Sequence, residues 1–404
     1  MEKRVVVTAM NMITALGLDL DTNWEKLVAG QSGIGKITLF DASEYSTQIA
    51  GELPGEFLKY SKQYCKKFMA KQMGRATWFA FVSAKAMVEK CGIDFDKFDK
   101  RRCAVIMGAV DTGHSRIYEG IGEKYWIVQT MGNAMPAWIS LEYKLEGRNF
   151  TIATACASAA YAMAHGWELI VNNQADCVIV GGASAIINPE HVGGFGDLYA
   201  LSVRNDEPEK ASRPFSVDRD GFVIGEGAGV LILESEESAK ARGAEIHSEL
   251  AGYALTSEGY NIMSPMKDGS GMAKTMDKAL KHAKVNPEDV DYINAHGTST
   301  PANDMSETLA IKKVFGDHAY RLAVSSSKSM IGHTVSAGGG VEGIITILSI
   351  KNGLMTPTIN YNPDPELDLD YVPNEARKKD VNVALSNSFG FGGHNATLVF
   401  KKYC

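Results

Sequence analysis

A cysteine, two histidines and a lysine draw attention in this 404-residue sequence, because each follows an apolar strand-like run at a turn of small residues. In Thr151-Ile152-Ala153-Thr154-Ala155-Cys156-Ala157-Ser158-Ala159-Ala160 such a run gives way to an alanine-rich helix, with Cys156 at the junction. Unpaired amides and the positive dipole end of a helix start stabilise a thiolate, so the thiol is expected to titrate below its ordinary value of about 8.5. The small neighbours admit a thioester, and the same amides can bind an oxyanion. His296 lies in Asn294-Ala295-His296-Gly297-Thr298-Ser299-Thr300-Pro301, at the carboxyl end of a short strand. His333 ends Ser325-Ser326-Ser327-Lys328-Ser329-Met330-Ile331-Gly332-His333, also after a strand. That edge of an open α/β sheet is where active sites gather. A packed core cysteine or a hydrogen-bonded structural histidine would explain any one of these alone. The four together point to nucleophilic catalysis.

Metal binding is the competing use of a Cys/His set. The histidines form no H-x-x-x-H pair and no two cysteines form C-x-x-C, so no metal is expected. His114, His165, His191, His247, His282 and His318 have no comparable setting and are expected in surface or packing roles. Ser386-Asn387-Ser388-Phe389-Gly390-Phe391-Gly392-Gly393-His394-Asn395 resembles a nucleotide loop, but a strand follows it instead of a helix, which excludes a dinucleotide fingerprint. Its glycines allow a hairpin to approach a ligand closely, with Phe391 as a gate.

The elements that must hold these groups alternate along the chain. Strands are predicted at 4–9, 103–108, 150–153, 177–181, 229–233, 247–255, 292–295, 322–325, 382–387 and 396–400, and several are almost wholly apolar, as in strands covered on both faces. Helices are predicted at 75–90, 157–172, 272–284, 306–315 and 337–351. The alternation argues for a layered α/β fold. The charged stretch 234–245 marks a soft boundary, giving units 1–245 and 246–404. A net charge of −7 argues against general nucleic-acid binding. No apolar run reaches the roughly 18 residues of a membrane span, and the first residues lack a signal peptide's apolar segment. Six cysteines without disulfide-like spacing suggest a reducing, cytoplasmic location.

Together these segments resemble the β-ketoacyl-acyl-carrier-protein synthases of the elongating type, closest to synthase II. The similarity runs from Val5-Val6-Val7-Thr8-Ala9 to Phe400-Lys401-Lys402, through Gly193-Gly194-Phe195, Ala211-Ser212-Arg213-Pro214-Phe215, Asp218-Arg219-Asp220-Gly221-Phe222 and Gly225-Glu226-Gly227-Ala228-Gly229. The resemblance implies the thiolase fold, two similar βαβαβαββ halves in a five-layered α-β-α-β-α body, and a dimer through the first half. It implies decarboxylative condensation of an acyl group on Cys156 with malonyl-carrier, in fatty-acid or polyene and polyketide elongation. Cys156 matches the nucleophile, His296 and His333 the histidine pair, Lys328 the motif lysine and Glu342 the acid near it. Thr298 and Thr300 match the pantetheine-binding threonines. Phe391 matches the gate, its amide joining that of Cys156 in the oxyanion hole, with Phe389 in support. No cofactor is implied beyond the phosphopantetheine that the carrier brings. The family's cysteine-less partners and asparagine-bearing initiating members do not match, since Cys156 and His333 are both present.

The implied partners are an acyl carrier protein and either a second copy or a chain-length-factor homologue. An acidic carrier would meet Lys62, Lys66, Lys67, Lys71 and Arg75, with Arg204 in a second loop; a solvated basic face is the alternative. The similarity weakens between Ala109 and Gly147, where Asp111-Thr112-Gly113-His114 begins a shortened segment. Trp126, Met131, Met135, Pro136 and Trp138 in 125–141 are expected either to wall the acyl pocket, favouring an unusual or unsaturated chain, or to pack the dimer.

Overall fold

The computed structural model describes residues 3–111 and 124–404. The stretch Thr112-Gly113-His114 lies outside them.

The first half contributes β1 (Val5–Ile13), β2 (Cys103–Gly108), β3 (Asn149–Ile152), β4 (Cys177–Ser184) and β5 (Gly227–Ser235). The second half contributes β6 (Ser248–Ser257), β7 (Tyr292–Asn294), β8 (Ala323–Ser325), β9 (Val383–Gly390) and β10 (His394–Lys401). They form one sheet in the order β3-β2-β4-β5-β1-β6-β10-β9-β7-β8. Counted within its own half, each set runs third, second, fourth, fifth, first from its outer edge. Pairings repeat too: β2 is parallel to β3 and β4, as β7 is to β8 and β9, while the last two strands of each half pair antiparallel. The halves meet where Val6 and Val7 pair with Glu249 and Ser248.

Helices complete the layers. α1 (Arg75–Cys91) and α2 (Ala134–Tyr143) cover the outer face of the first half; α4 (Ser270–Ala283) and α5 (Pro301–Phe315) cover that of the second. Between the halves lie α3 (Ser158–Val171) and α6 (Gly338–Asn352), which touch strands of both. This is the expected five-layered thiolase arrangement. α6 is buried from Gly338 to Ile350, whereas α3 keeps Tyr161, His165 and Glu168 on one half-exposed face. Their approach is close enough that a Cβ on Gly339 would fall 2.7 Å from the Ala160 nitrogen.

Most predicted elements match within a few residues, and β2 matches at both ends. α5 begins five residues before the predicted 306, because Thr300 caps it by accepting from the Asn303 N–H and Pro301 occupies its first turn. The segment 125–141 stands apart from the nucleophile within this chain. None of Trp126, Met131, Met135, Pro136 and Trp138 lines the cavity around Cys156. Met135 and Trp138 instead pack with α1 in the outer core of the first half. α2 packs on the outer side of the sheet with Leu141 exposed.

Candidate active site

Cys156 sits in a single tight turn, Ala155–Ala157, that leads from β3 into α3. Ala155 adopts φ +48°, a left-handed conformation that an alanine tolerates only under constraint. Ser158 supplies part of the constraint: its hydroxyl accepts from the Thr154 N–H at 2.9 Å and donates to the Ala155 carbonyl at 2.7 Å. The β9–β10 hairpin comes in from the other half. Gly390 is essential to that approach, since a Cβ there would stand 3.0 Å from the Cys156 nitrogen. The next amide, that of Phe391, stands on the side of the thiol where it pulls the Cys156 sulfur toward the thiolate.

His333 follows β8 just as Cys156 follows β3, each loop feeding a central helix. Its Nε2 lies 3.1 Å from the Cys156 sulfur. The Val335 N–H donates to Nδ1 at 3.2 Å, so the neutral ring carries its proton on Nε2 and presents it to the sulfur. His296 follows β7, its ring 5.3 Å from that of His333 and nearly perpendicular. Burial first, and then the Lys328 charge, hold both imidazoles well below the ordinary histidine range, so both are neutral. Lys328 itself is buried against Glu342, whose carboxyl is pushed up by burial.

One expectation is reversed. Burial pushes the Cys156 thiol up to about 11, although Lys328 and the Phe391 and Cys156 amides pull the other way. Desolvation of a thiolate beneath the protein surface outweighs these donors, so the resting group is the neutral thiol.

The Cys156, His296 and His333 ligand atoms lie within 4.8 Å of one another, which is also the outline of a metal triad. The Lys328 charge that both imidazoles feel opposes a cation there.

A cavity of about 570 Å³ opens over these groups. Thr298 and Thr300 line it, with their hydroxyls 2.8 Å apart, and so do Phe389 and Phe391. Phe389 lies edge-on to His296, and Phe391 approaches Phe195 at 6.4 Å. His191 lines the same cavity, its ring packed against Phe195.

Glu307 was not anticipated. Its buried carboxylate accepts from the backbone N–H groups of His296 at 2.9 Å and Gly297 at 2.8 Å, and from Asn387 at 3.2 Å. It thereby ties α5 to the His296 loop and to β9. Burial raises its carboxyl to about 7. The only sequence hint was Asn303, four residues earlier on the same helix face.

The basic run is divided. Lys62, Lys66, Lys67 and Lys71 are exposed and form no ion pair among the described residues. Arg75 does not belong with them: its guanidinium grips the fully buried Glu226 carboxylate, with Nε–Oε2 at 3.0 Å. Arg204 is held by Asp218 at 3.3 Å and Asp220 at 3.6 Å, beside the cavity that Asp220 lines.

Two family models match the chain: the beta-ketoacyl synthase N-terminal domain over residues 2–239 and the C-terminal domain over residues 247–362. The 3-oxoacyl-[acyl-carrier-protein] synthase 2 of Synechocystis sp. is 43% identical, over 100% of this chain and 99% of its own. Two solved structures align over 100% of both chains at 32% identity. One is the ishigamide ketosynthase/chain length factor, with a TM-score of 0.92. The other is a type II PKS acyl-carrier protein in complex with its ketosynthase bound to the hexaketide, with a TM-score of 0.88.

Proposed function

The chain belongs to the beta-ketoacyl synthase family, and from that premise we propose that it joins a Cys156-bound acyl group to the two-carbon unit left when malonyl-carrier loses carbon dioxide. The observation that carries this reading is the neutral His333 Nε2–H 3.1 Å from the Cys156 sulfur, with a second neutral imidazole alongside, in one cavity.

In the first step the Cys156 sulfur attacks an acyl-carrier thioester. The tetrahedral oxyanion rests on the Phe391 and Cys156 amides, and the departing carrier sulfur leaves as a thiol carrying the cysteine proton. In the second step malonyl-carrier sheds carbon dioxide, and the enolate oxygen receives hydrogen bonds from His296 and His333. Neutral rings suit this role, because they donate without protonating the carbanion. In the third step that carbanion attacks the acyl-cysteine, forming the carbon–carbon bond and breaking the thioester bond; the Cys156 sulfur leaves as a thiolate and takes a proton from solvent to restore the resting thiol. Thr298 and Thr300 hold the pantetheine arm, and Phe391 gates the acyl branch. Lys328 with Glu342 sets the field around the imidazoles. The reaction needs no cofactor beyond the carrier's phosphopantetheine.

The partner is an acyl carrier protein, and Lys62, Lys66, Lys67 and Lys71 are its docking surface. A homodimer is one assembly. The likeness to the ishigamide ketosynthase/chain length factor favours a second reading, a catalytic subunit paired with a cysteine-less homologue. We place the protein in the cytoplasm, a reducing setting consistent with its six unpaired thiols; no described helix is long and apolar enough to cross a membrane.

Intact-protein mass spectrometry after incubation with acyl-carrier tests the assignment. The expected result is one acyl adduct on Cys156, absent in Cys156→Ala, with carbon dioxide release from malonyl-carrier persisting in that variant. Condensation retained by Cys156→Ala, or an adduct on another cysteine, would overturn it.

A further inference from the structure

Among the described residues, His191 is the histidine of the cavity wall that the condensation chemistry leaves unused. It lies on the nine-residue helix Pro189–Asp197, where Asn188 is the N-cap. The Asn188 Oδ1 accepts from the His191 backbone N–H at 2.9 Å and faces the ring Nδ1, also at 2.9 Å. The backbone donor fixes which end of the Asn188 amide is oxygen, because an NH2 group cannot accept. Nδ1 must therefore carry the proton of a neutral ring. Nε2 is left as a lone-pair acceptor, and it makes no hydrogen bond to any described residue.

The ring stands in an otherwise apolar stretch of wall. Aromatic contacts lead away from the reaction centre in steps: His333 to Phe222 at 5.4 Å, Phe222 to Phe195 at 5.4 Å, and Phe195 to His191 at 6.5 Å. Phe195 also faces Phe391, so this path lies on the gate's side of the cavity, and Ile186 continues its apolar lining. Thr298 and Thr300 belong to a different loop, the one that carries His296. A saturated chain laid along the aromatic path would leave the Nε2 lone pair without a partner, whereas a chain with a hydroxyl at that depth would satisfy it.

We propose that His191 is a specificity-determining residue, and that the acyl group this enzyme extends carries a hydrogen-bond donor, of the hydroxyl class, positioned to meet Nε2. The proposal rests on the condensing reading above. A neutral hydrogen bond at a half-buried site gives modest discrimination, about tenfold in kcat/KM.

The test is competition between acyl-carriers of equal length: saturated, hydroxylated at successive carbons, and the O-methyl ethers of the same alcohols. Acylation of Cys156 is followed by intact mass. The wild-type protein should prefer at least one hydroxyl position over the saturated chain by about tenfold, and should not extend that preference to the matching ether, which lacks the donor. The preference should collapse in His191→Phe and return in part in His191→Gln, whose amide oxygen can accept. The wild-type hydroxyl-to-ether comparison needs no variant, so it decides the matter even if His191→Phe folds poorly. No hydroxyl position preferred by the wild type, or a preference surviving intact in a folded His191→Phe, overturns the assignment. Failure of every acyl-carrier to label Cys156 would instead overturn the condensing reading, and the role of His191 with it.

Discussion

Replacing Lys328 by methionine isolates the buried charge that sits behind both imidazoles. Lys328 is 1% exposed and Glu342 2%, and the Glu342 Oε2 has no hydrogen-bond partner. Methionine keeps the length and most of the volume of the side chain but removes its charge. A carboxylate left alone in the interior should cost about 3–5 kcal/mol of stability. The carboxyl can escape by taking up a proton, and burial already pushes it that way. The loss should therefore be full at pH 8 and shrink on acidification, by about 1.4 kcal/mol for each unit below the carboxyl's folded pKa. Both histidines also lose a positive neighbour that lowers them, so both should titrate at higher pH. They should stay below the ordinary range, because burial is the larger cause. Urea unfolding at pH 8 and pH 5.5 measures the first effect, and histidine-selective NMR titration the second. Lys328→Met/Glu342→Leu should regain most of the stability at pH 8. A single variant as stable as wild type at pH 8, or a double variant no better than the single, would refute the reasoning.

Four further outcomes are expected. Iodoacetamide labelling of Cys156 should rise about tenfold per pH unit between pH 7 and 10, since its thiol titrates at about 11; a plateau by pH 8 would return the residue to the thiolate class. His296→Ala and His333→Ala should each slow carbon dioxide release from malonyl-carrier by roughly 10²–10³, and normal release in either would remove that ring from the enolate site. Glu307 titrates at about 7 in the fold against 4.5 as an ordinary carboxyl. The folded state thus holds a proton that the unfolded chain releases. Stability should fall by about 3 kcal/mol as pH rises from 4.5 to 7, and Glu307→Gln should remove that part of the slope in a calorimetric pH series. Charge reversal at Lys67 and Lys71 should raise KM for acyl-carrier at low salt, with the difference shrinking as ionic strength grows; salt-independent kinetics would leave the lysines a solvated face.

Much of the scaffold is legible in the sequence because its strands are buried on both faces. Cys103–Gly108 is an unbroken apolar run after two arginines, so its ends are sharp. The loops carrying His296 and His333 could be placed for the same reason, each being tied to such a strand, while the one carrying Cys156 follows a half-exposed edge strand and is marked by the alanine-rich helix after it. Properties set by three-dimensional surroundings were less visible. Nothing local says that desolvation at Cys156 outweighs the helix dipole, or that Arg75 turns inward to Glu226. Pro301 looked like loop until its capping threonine was seen with it. The apolar residues of α2 are as suited to a pocket as to a core, and only their packing against α1 shows which of them the core of this chain takes. Glu307 and His191 were invisible as site residues because their meaning comes from groups elsewhere in the fold.

The repeated strand order of the two halves has a consequence for how such a site can arise. Cys156 and His333 occupy corresponding places, after the third strand of their own half and before its central helix, and they touch. Two identical half-length chains paired about the same axis would bring the same side chain to both places, giving two cysteines or two histidines face to face. A nucleophile opposite an imidazole requires the copies to differ. Two copies of the coding sequence allow that difference, and joining them in one polypeptide keeps the unlike halves in fixed one-to-one partnership. The asymmetry on which the chemistry depends therefore sits at one of the places where the two halves touch.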